Sequence, residues 1–135
     1  MAIEHIQPPD VFESARFGFT QVVASPPGRQ VFVSGQVAWD TSLKIVGEGD
    51  VGVQAEQALE NLRNALAAAG AGPADVTSMR VYIVDLTPDK IAKIGAPVAR
   101  FFEGVTPPAS TWLGVSALVG EGLLIEIEAT AVVAT

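Results

Sequence analysis

Residues 50–70, DVGVQAEQALENLRNALAAAG, decide the fold because they contain the clearest helix of the chain. Apolar residues recur there at spacings of four, three, four and three, which places them on one helical face: Ala55, Leu59, Leu62, Leu66 and Ala69. Polar and charged side chains cover the opposite face. Asp50 is a favourable N-cap and Gly70 a favourable stop. The pattern therefore predicts a helix between these two residues, with one face buried in a core.

Strand-like segments surround this helix in the sequence. They are rich in β-branched residues and are predicted at residues 19–25, 30–39, 79–86, 111–115 and 123–133. A second helix is predicted to begin at Thr87 and Pro88, because proline is favoured in the first helical position. Pro97 is expected to bend this helix. Its predicted buried face carries Ile91, Ile94, Val98, Phe101 and Phe102. The order β-β-α-β-α-β-β predicts one α+β domain over residues 1–135, a sandwich of one sheet with both helices on a single face.

Composition and charge exclude several classes of protein. The chain has 135 residues, 8 Lys+Arg against 15 Asp+Glu, and a net charge of -7. Its basic residues are scattered, whereas a nucleic-acid surface needs them clustered, so we expect no nucleic-acid partner. One histidine and no cysteine argue against a disulfide scaffold, a thiolate nucleophile and a zinc site.

The N-terminal residues predict no targeting segment. They lack the features of a signal peptide, and no apolar stretch is long enough to span a bilayer, so we expect a cytoplasmic protein with no membrane partner. His5 lies in a terminus expected to be loose and is given no catalytic role. The mean hydropathy of +0.37 is high for a small domain, which predicts an apolar subunit interface.

Few residues could carry chemistry by pattern alone. Glu126 and Glu128 are two apart in a predicted strand and therefore project from the same side. They indicate either a solvated sheet face, which the residues alone favour, or a carboxylate in a cleft that orients a water or moves a proton. Ser34-Gly35 predicts a bulge or a close approach of the backbone to a ligand. Trp112 is either a core residue, which is the commoner case, or a pocket wall.

Seven segments together resemble one family. They are VFVSGQ at 31–36, Gln54 with QALENL at 57–62, AAG at 68–70, VYIVD at 81–85, Phe101-Phe102, Pro108-Ala109 and IEIEA at 125–129. In this order and spacing, the chain is similar to the YjgF/RidA-like family of reactive-intermediate deaminases over about residues 17–134.

The resemblance implies a chorismate-mutase-like fold and a homotrimer with clefts between neighbouring subunits. It also implies hydrolysis of a small-molecule substrate, an enamine or imine, to a keto acid and ammonia, with no cofactor and no metal. In this family a glutamate on the last strand orients the attacking water, and Glu126 matches it. Gly35 matches a pocket glycine, and Phe19 matches a pocket position that is often tyrosine. Gly95 stands where an asparagine is common.

The carboxylate-binding position is where the chain departs from the family pattern. Ser110 replaces the arginine that holds the substrate carboxylate, and Trp112 stands where a small residue is common. We expect Ser110, Thr111 and Trp112 to line the substrate pocket. Serine offers one neutral donor in place of a guanidinium fork, so we expect weak activity on small 2-iminoacids and a different, aromatic or uncharged ligand. Robust activity on alanine-derived iminoacid would instead indicate that another group, such as Arg16 or Arg100 of a neighbouring subunit, supplies the positive charge.

Two functions remain open on this basis. The first is an enzyme that hydrolyses an imine, an enamine or a similarly labile small metabolite in an inter-subunit cleft. The second is a non-enzymatic ligand-binding or interaction protein on the same trimeric scaffold. Some relatives have been described as ribonucleases, and the net charge of -7 makes that activity the least favoured. A chorismate-mutase reaction would require several pocket arginines for its dianionic substrate.

Overall fold

The predicted first helix forms with its expected ends. The structure is a computed structural model that describes residues 2–134, in which helix α1 spans Val51–Ala68. The Asp50 side chain accepts a hydrogen bond from the Val53 amide at 3.1 Å and so caps the first turn. The apolar face predicted from the spacing is buried, and it forms the centre of the core.

The second helix also begins where the sequence predicts. Helix α2 spans Pro88–Phe101, and the Thr87 side chain caps it by accepting a hydrogen bond from the Lys90 amide at 3.2 Å. Pro97 is buried inside this helix, which continues through it to Phe101. One member of the predicted buried face differs: Ile91 is exposed because it faces an open cavity rather than the core.

Four strands form the main sheet: β3 (Arg29–Gln36), β4 (Val76–Val84), β5 (Ala109–Val115) and β6 (Ile125–Val133). Their order in space is β3-β6-β4-β5, with β6 antiparallel to both of its neighbours and β4 parallel to β5. Parallel strands need a crossover, which α2 provides between β4 and β5. The predicted α+β fold is confirmed.

The N-terminal part of the chain differs from the prediction. The segment predicted as a strand at 19–25 contains a shorter strand, β2 (Val22–Ala24), that does not join the main sheet. It pairs instead with β1 (Glu4–Ile6) in a separate two-stranded sheet, in which His5 lies opposite Val23. The terminus is therefore held by a ladder of backbone hydrogen bonds, and its predicted looseness is wrong.

The two faces of the main sheet are covered differently. Ile125, Ile127 and Ala129 point toward the helices and are buried, while the alternating Glu126 and Glu128 lie half-buried on the opposite face. Among residues 2–134, no helix packs on that second face, which we call the open face. In the same part of the chain, no helix is both long and apolar enough to cross a membrane.

A buried amide joins α1 to two loops. Gln54 is fully buried, and its Nε2 donates hydrogen bonds to the carbonyl oxygens of Gly47 at 3.1 Å and Gly122 at 3.0 Å. Its Oε1 accepts a hydrogen bond from the Leu124 amide at 2.9 Å. The first contact holds the loop before α1, and the other two hold the loop that leads into β6. One side chain thus binds backbone groups of two loops that are far apart in sequence.

Replacing this amide tests its contribution to stability. Gln54→Leu keeps the side-chain bulk but removes the partner of the Gly122 carbonyl and of the Leu124 amide, each at a cost of about 1–3 kcal/mol, whereas the Gly47 carbonyl still accepts from the Asp50 amide. We expect the free energy of unfolding in urea to fall by about 2 kcal/mol or more. Glu60→Gln, on the exposed side of the same helix, is the control and should change it by less than about 0.5 kcal/mol. Equal stability of the two variants would contradict this role for Gln54.

Candidate functional site

A bulge in β3 brings the backbone against a carboxylate. The pairing of β3 with β6 shifts between Val33 and Gln36, so Ser34 and Gly35 have no registered partner in β6. A Cβ atom on Gly35 would overlap the Glu126 carboxylate, which means that only glycine permits this approach. The predicted bulge is thus present, and the Gly35 backbone also lies against the Glu126 side chain, whereas its approach to a ligand stays a prediction.

The two glutamates of β6 have different surroundings. The Tyr82 hydroxyl donates a hydrogen bond to Glu128, and a guanidinium nitrogen of Arg80 lies 3.9 Å from the same carboxylate oxygen. Glu126 lies directly opposite Tyr82 in the strand register. Within residues 2–134, no group donates a hydrogen bond to the Glu126 carboxylate, so its oxygens are available to a water or a ligand.

The hydrogen bond to Glu128 also affects the tyrosine. It raises the pKa of Tyr82 above its usual range, because loss of the hydroxyl proton would remove the bond and place a second anion beside the carboxylate. Burial and the nearby Glu126 act in the same direction, whereas Arg80 opposes them. Tyr82 and Glu128 therefore form a paired unit beside the unpaired Glu126.

A second group of predicted residues lines a cavity on the helix side of the sheet. The cavity has a volume of about 550 Å³ and includes Phe19, Ser110 and Trp112 in its wall. Ser110 and Trp112 lie on this side because they pair with Met79 and Val81, which are buried beneath the helices. We call this space the aromatic cavity because four aromatic side chains line it: Phe12, Phe17, Phe19 and Trp112.

Ser110 has a partner inside the cavity wall. The Trp112 indole Nε1 donates a hydrogen bond to the Ser110 hydroxyl at 3.2 Å. Trp112 also packs against the hydrophobic core, so both of its predicted roles, core residue and pocket wall, are present. On α2, a Cβ atom added at Gly95 would meet nothing within 4 Å, which leaves this part of the cavity open.

The two arginines proposed as a source of charge lie in different places. Arg16 belongs to a short 3-10 helix at Ala15–Phe17 and lines the aromatic cavity. Arg100 lies on the surface between the two helices, where it contacts the Glu56 carboxylate at 2.5 Å. Of these two arginines, only Arg16 lies in the wall of the aromatic cavity within the same chain.

The predicted site residues fall into two groups within one chain. Gly35 and Glu126 meet on the open face, and Thr111 lies on that face too because it pairs with Arg80. Phe19, Ser110 and Trp112 meet on the other side of the sheet. The sheet separates the two groups, so one chain does not bring all of the predicted residues together.

The sequence prediction missed several residues of these two groups. Phe12 and Phe17 line the aromatic cavity, and Tyr82 bonds Glu128 on the open face. Three phenylalanines lie close to Arg16 between residues 12 and 19, and this clustering could have indicated an aromatic pocket. Across residues 2–134, no group of three or more His, Asp or Glu side chains is placed to hold a metal ion.

Known proteins share this fold and much of this sequence. The family model for endoribonuclease L-PSP matches residues 13–133. Protein DfrA of Myxococcus xanthus is 36% identical over 114 residues, which cover 84% of each chain. A 2-iminobutanoate/2-iminopropanoate deaminase of Salmonella typhimurium is 36% identical over 107 residues, covering 78% of this chain and 80% of the relative.

A solved structure matches the chain along almost its whole length. YyfB from Yersinia pestis, described as a protein of unknown function of the conserved Rid protein family, has a TM-score of 0.94 and 42% identity. The match covers 98% of this chain and 100% of YyfB. Together with the family model, these relatives show that the chain belongs to the YjgF/RidA family.

Proposed function

We propose that the chain hydrolyses an imine, an enamine or a similarly labile small metabolite, with Glu126 orienting the attacking water. The observation that carries this proposal is the Glu126 carboxylate beside the Gly35 bulge, with no hydrogen-bond donor to it among residues 2–134. The 2-iminobutanoate/2-iminopropanoate deaminase activity named for the Salmonella typhimurium relative supports the reaction class.

The chemistry requires only a water and a proton acceptor. Glu126 accepts a proton from the water as the water oxygen bonds to the imine carbon, and returning this proton to the imine nitrogen gives a neutral tetrahedral carbinolamine. Transfer of the carbinolamine hydroxyl proton to the same nitrogen, through the carboxylate, then forms the C=O bond as the carbon–nitrogen bond breaks, so one water and one imine give one carbonyl compound and one ammonia. Ser34 and Gly35, which lack registered partners in β6, offer backbone groups to the substrate next to this carboxylate.

The complete cleft, in this proposal, lies between neighbouring copies of the chain in a homotrimer. Glu126 and the aromatic cavity lie on opposite sides of the sheet, so a second copy is needed to bring one chain's carboxylate to another's cavity. The open face supports such contact, because Phe32 lies on it with 74% of its surface exposed. Aromatic side chains are enriched in protein–protein interfaces relative to the rest of the surface.

An RNA substrate is less well supported by this chain. The matching family model carries an endoribonuclease description, but a ribonuclease must attract a polyanion. The net charge of -7 would repel one, and the arginine on the open face, Arg80, lies beside the Glu128 carboxylate. The unpaired Glu126 fits a small uncharged or monoanionic substrate better.

Turnover of short-lived imines tests the reaction and separates it from simple binding. Imines would be generated in situ by an amino-acid oxidase, and their capture by semicarbazide followed in the presence of each protein. We expect wild-type protein to speed imine loss, more for phenylalanine-derived than for alanine-derived iminoacid. Glu126→Gln should lower this rate by about 100-fold or more, because it removes the proton acceptor.

Glu128→Gln is the matched control for that experiment, since it changes the neighbouring carboxylate on the same strand and face. We expect Glu128→Gln to lower the rate by less than about tenfold. This decrease is smaller than the one expected when a general base is lost. Full activity of Glu126→Gln would refute its role. No acceleration with any iminoacid would favour the alternative, a ligand-binding or interaction protein on the same scaffold.

The oligomeric state tests the proposed cleft. By light scattering we expect wild-type protein at three times its chain mass of 14.0 kDa. Phe32→Glu should shift it to the monomer, because the trimer would bury a carboxylate without a partner. Val119→Glu is the control, because it introduces the same charge at a loop side chain that is 85% exposed. This variant should remain trimeric. A wild-type monomer at micromolar concentration would exclude the inter-subunit cleft.

The distinction between the two glutamates has its own spectroscopic test. Tyr82 is the single tyrosine of the chain, so tyrosinate absorbance during an alkaline titration reports it alone. We expect its pKa to lie above the ordinary value and to fall clearly in Glu128→Gln, which removes the charged acceptor. Glu126→Gln should lower it only slightly, because that carboxylate is the smaller influence. A larger change in Glu126→Gln would show that Glu126 is the glutamate engaged by Tyr82.

A further inference from the structure

The aromatic cavity leaves large apolar surface uncovered. Phe12 and Phe17 are 63% and 64% exposed although both line the cavity. Phe12 contacts Phe17 and Phe19 edge to face, with ring centroids 6.4 and 6.2 Å apart. Trp112 closes another part of the wall, and its indole N–H is already bonded to Ser110. The wall therefore presents mainly ring surface, which favours an aromatic or bulky apolar group as its occupant.

Arg16 supplies a positive charge at the same cavity. Its Nε donates a hydrogen bond to the Glu13 carboxylate at 2.9 Å, and its backbone amide donates to the other oxygen of that carboxylate at 3.2 Å. These bonds lower the pKa of Glu13, and they place its carboxylate beside the Nε side of the guanidinium. Within residues 2–134, the terminal Nη groups of Arg16 make no hydrogen bond, so they are available to an anion.

We propose that the cavity selects a substrate with one carboxylate and an aromatic or bulky apolar side group, and that Arg16 binds the carboxylate in place of the arginine that Ser110 replaces. This assignment rests on the proposed function and narrows its substrate class. A guanidinium fork matches the two oxygens of a carboxylate, which the Ser110 hydroxyl cannot do. The charge thus comes from the N-terminal segment rather than from β5.

The size of the aromatic cavity supports the same class of substrate. Its volume of about 550 Å³ lies within the range of about 300–1,000 Å³ that is usual for small-molecule sites. A substrate with only a methyl side group would leave most of Phe12, Phe17 and Trp112 in contact with water. A phenyl group would cover them and would gain the apolar burial that a methyl group cannot provide.

Equilibrium binding of phenylpyruvate, the 2-oxo acid from phenylalanine-derived imine, tests the assignment without any turnover. Calorimetry would compare wild-type protein with Arg16→Gln and with Arg100→Gln, an arginine of similar exposure that pairs with Glu56 elsewhere. We expect Arg16→Gln to raise the Kd about tenfold or more, because it removes charge-assisted hydrogen bonds. Arg100→Gln should change the Kd less than about twofold, and wild-type protein should bind pyruvate at least about tenfold more weakly than phenylpyruvate.

Three results would overturn the assignment: no binding of phenylpyruvate, equal binding by the two arginine variants, or equal affinity for pyruvate and phenylpyruvate. Arg16 is exposed, and unchanged melting curves would show that its variant is folded. The Glu126→Gln protein separates this inference from the proposed function. If it loses turnover while Arg16→Gln binds normally, the reaction stands and the role of Arg16 is refuted. If Arg16→Gln binds weakly and no iminoacid is hydrolysed, the ligand class stands and the reaction is refuted.

Discussion

Both helices pack on the same face of a four-stranded sheet and, over residues 2–134, leave its other face without a helix. The positions of the core, of the two glutamates and of the aromatic cavity follow from this arrangement. The alternation along β6 sends Ile125 and Ile127 into the core and leaves Glu126 and Glu128 on the open face. That face is not a simple polar surface, because Phe32 lies on it beside the carboxylates. This is the face on which the proposed contact with another copy would form.

Polar side chains of α1 fix the strand ends around the Gly35 bulge. Asn61 donates hydrogen bonds from Nδ2 to the carbonyl oxygens of Val37 and Trp39, at 2.8 and 2.9 Å, directly after β3. Gln54 holds the segment that enters β6 in the same way. The bulge and the glutamate that meets it thus lie between anchored ends. A helix whose apolar face builds the core uses its polar residues to set the geometry of the candidate site.

Local sequence predicted the elements that carry strong local signals. The period of α1, its Asp50 cap and the glycine within β3 were sufficient to predict the helix and the bulge. The three-residue strand β1 has no period to detect, and its partner lies many residues away along the chain. Ile91 fits the apolar face of α2 by spacing, but spacing does not reveal that a cavity replaces the core there.

The sequence named individual residues for the candidate site but did not indicate how the fold arranges them. Glu126, Gly35, Phe19, Ser110 and Trp112 were all named from the sequence, yet the division between two sides of the sheet depends on strand register. The contribution of residues 12–17 depends on contacts between distant segments. Thr20 fixes that segment next to β5, because its amide and hydroxyl donate hydrogen bonds to the carbonyl oxygens of Pro108 and Pro107 at 3.0 and 2.6 Å. No periodic pattern in either segment indicates that pairing.

The replacement of an arginine by Ser110 is best understood together with its neighbours. The Ser110 hydroxyl accepts a hydrogen bond from the Trp112 indole N–H, and both side chains line the aromatic cavity. The phenylalanines of the N-terminal segment extend the same apolar wall, and Arg16 returns a positive charge from their own element. The Ser110 hydroxyl thus gives the half-buried Trp112 indole N–H a partner, which couples the two residues. Under the proposed substrate class, specificity follows from the exchange of a charged strand residue for an aromatic wall.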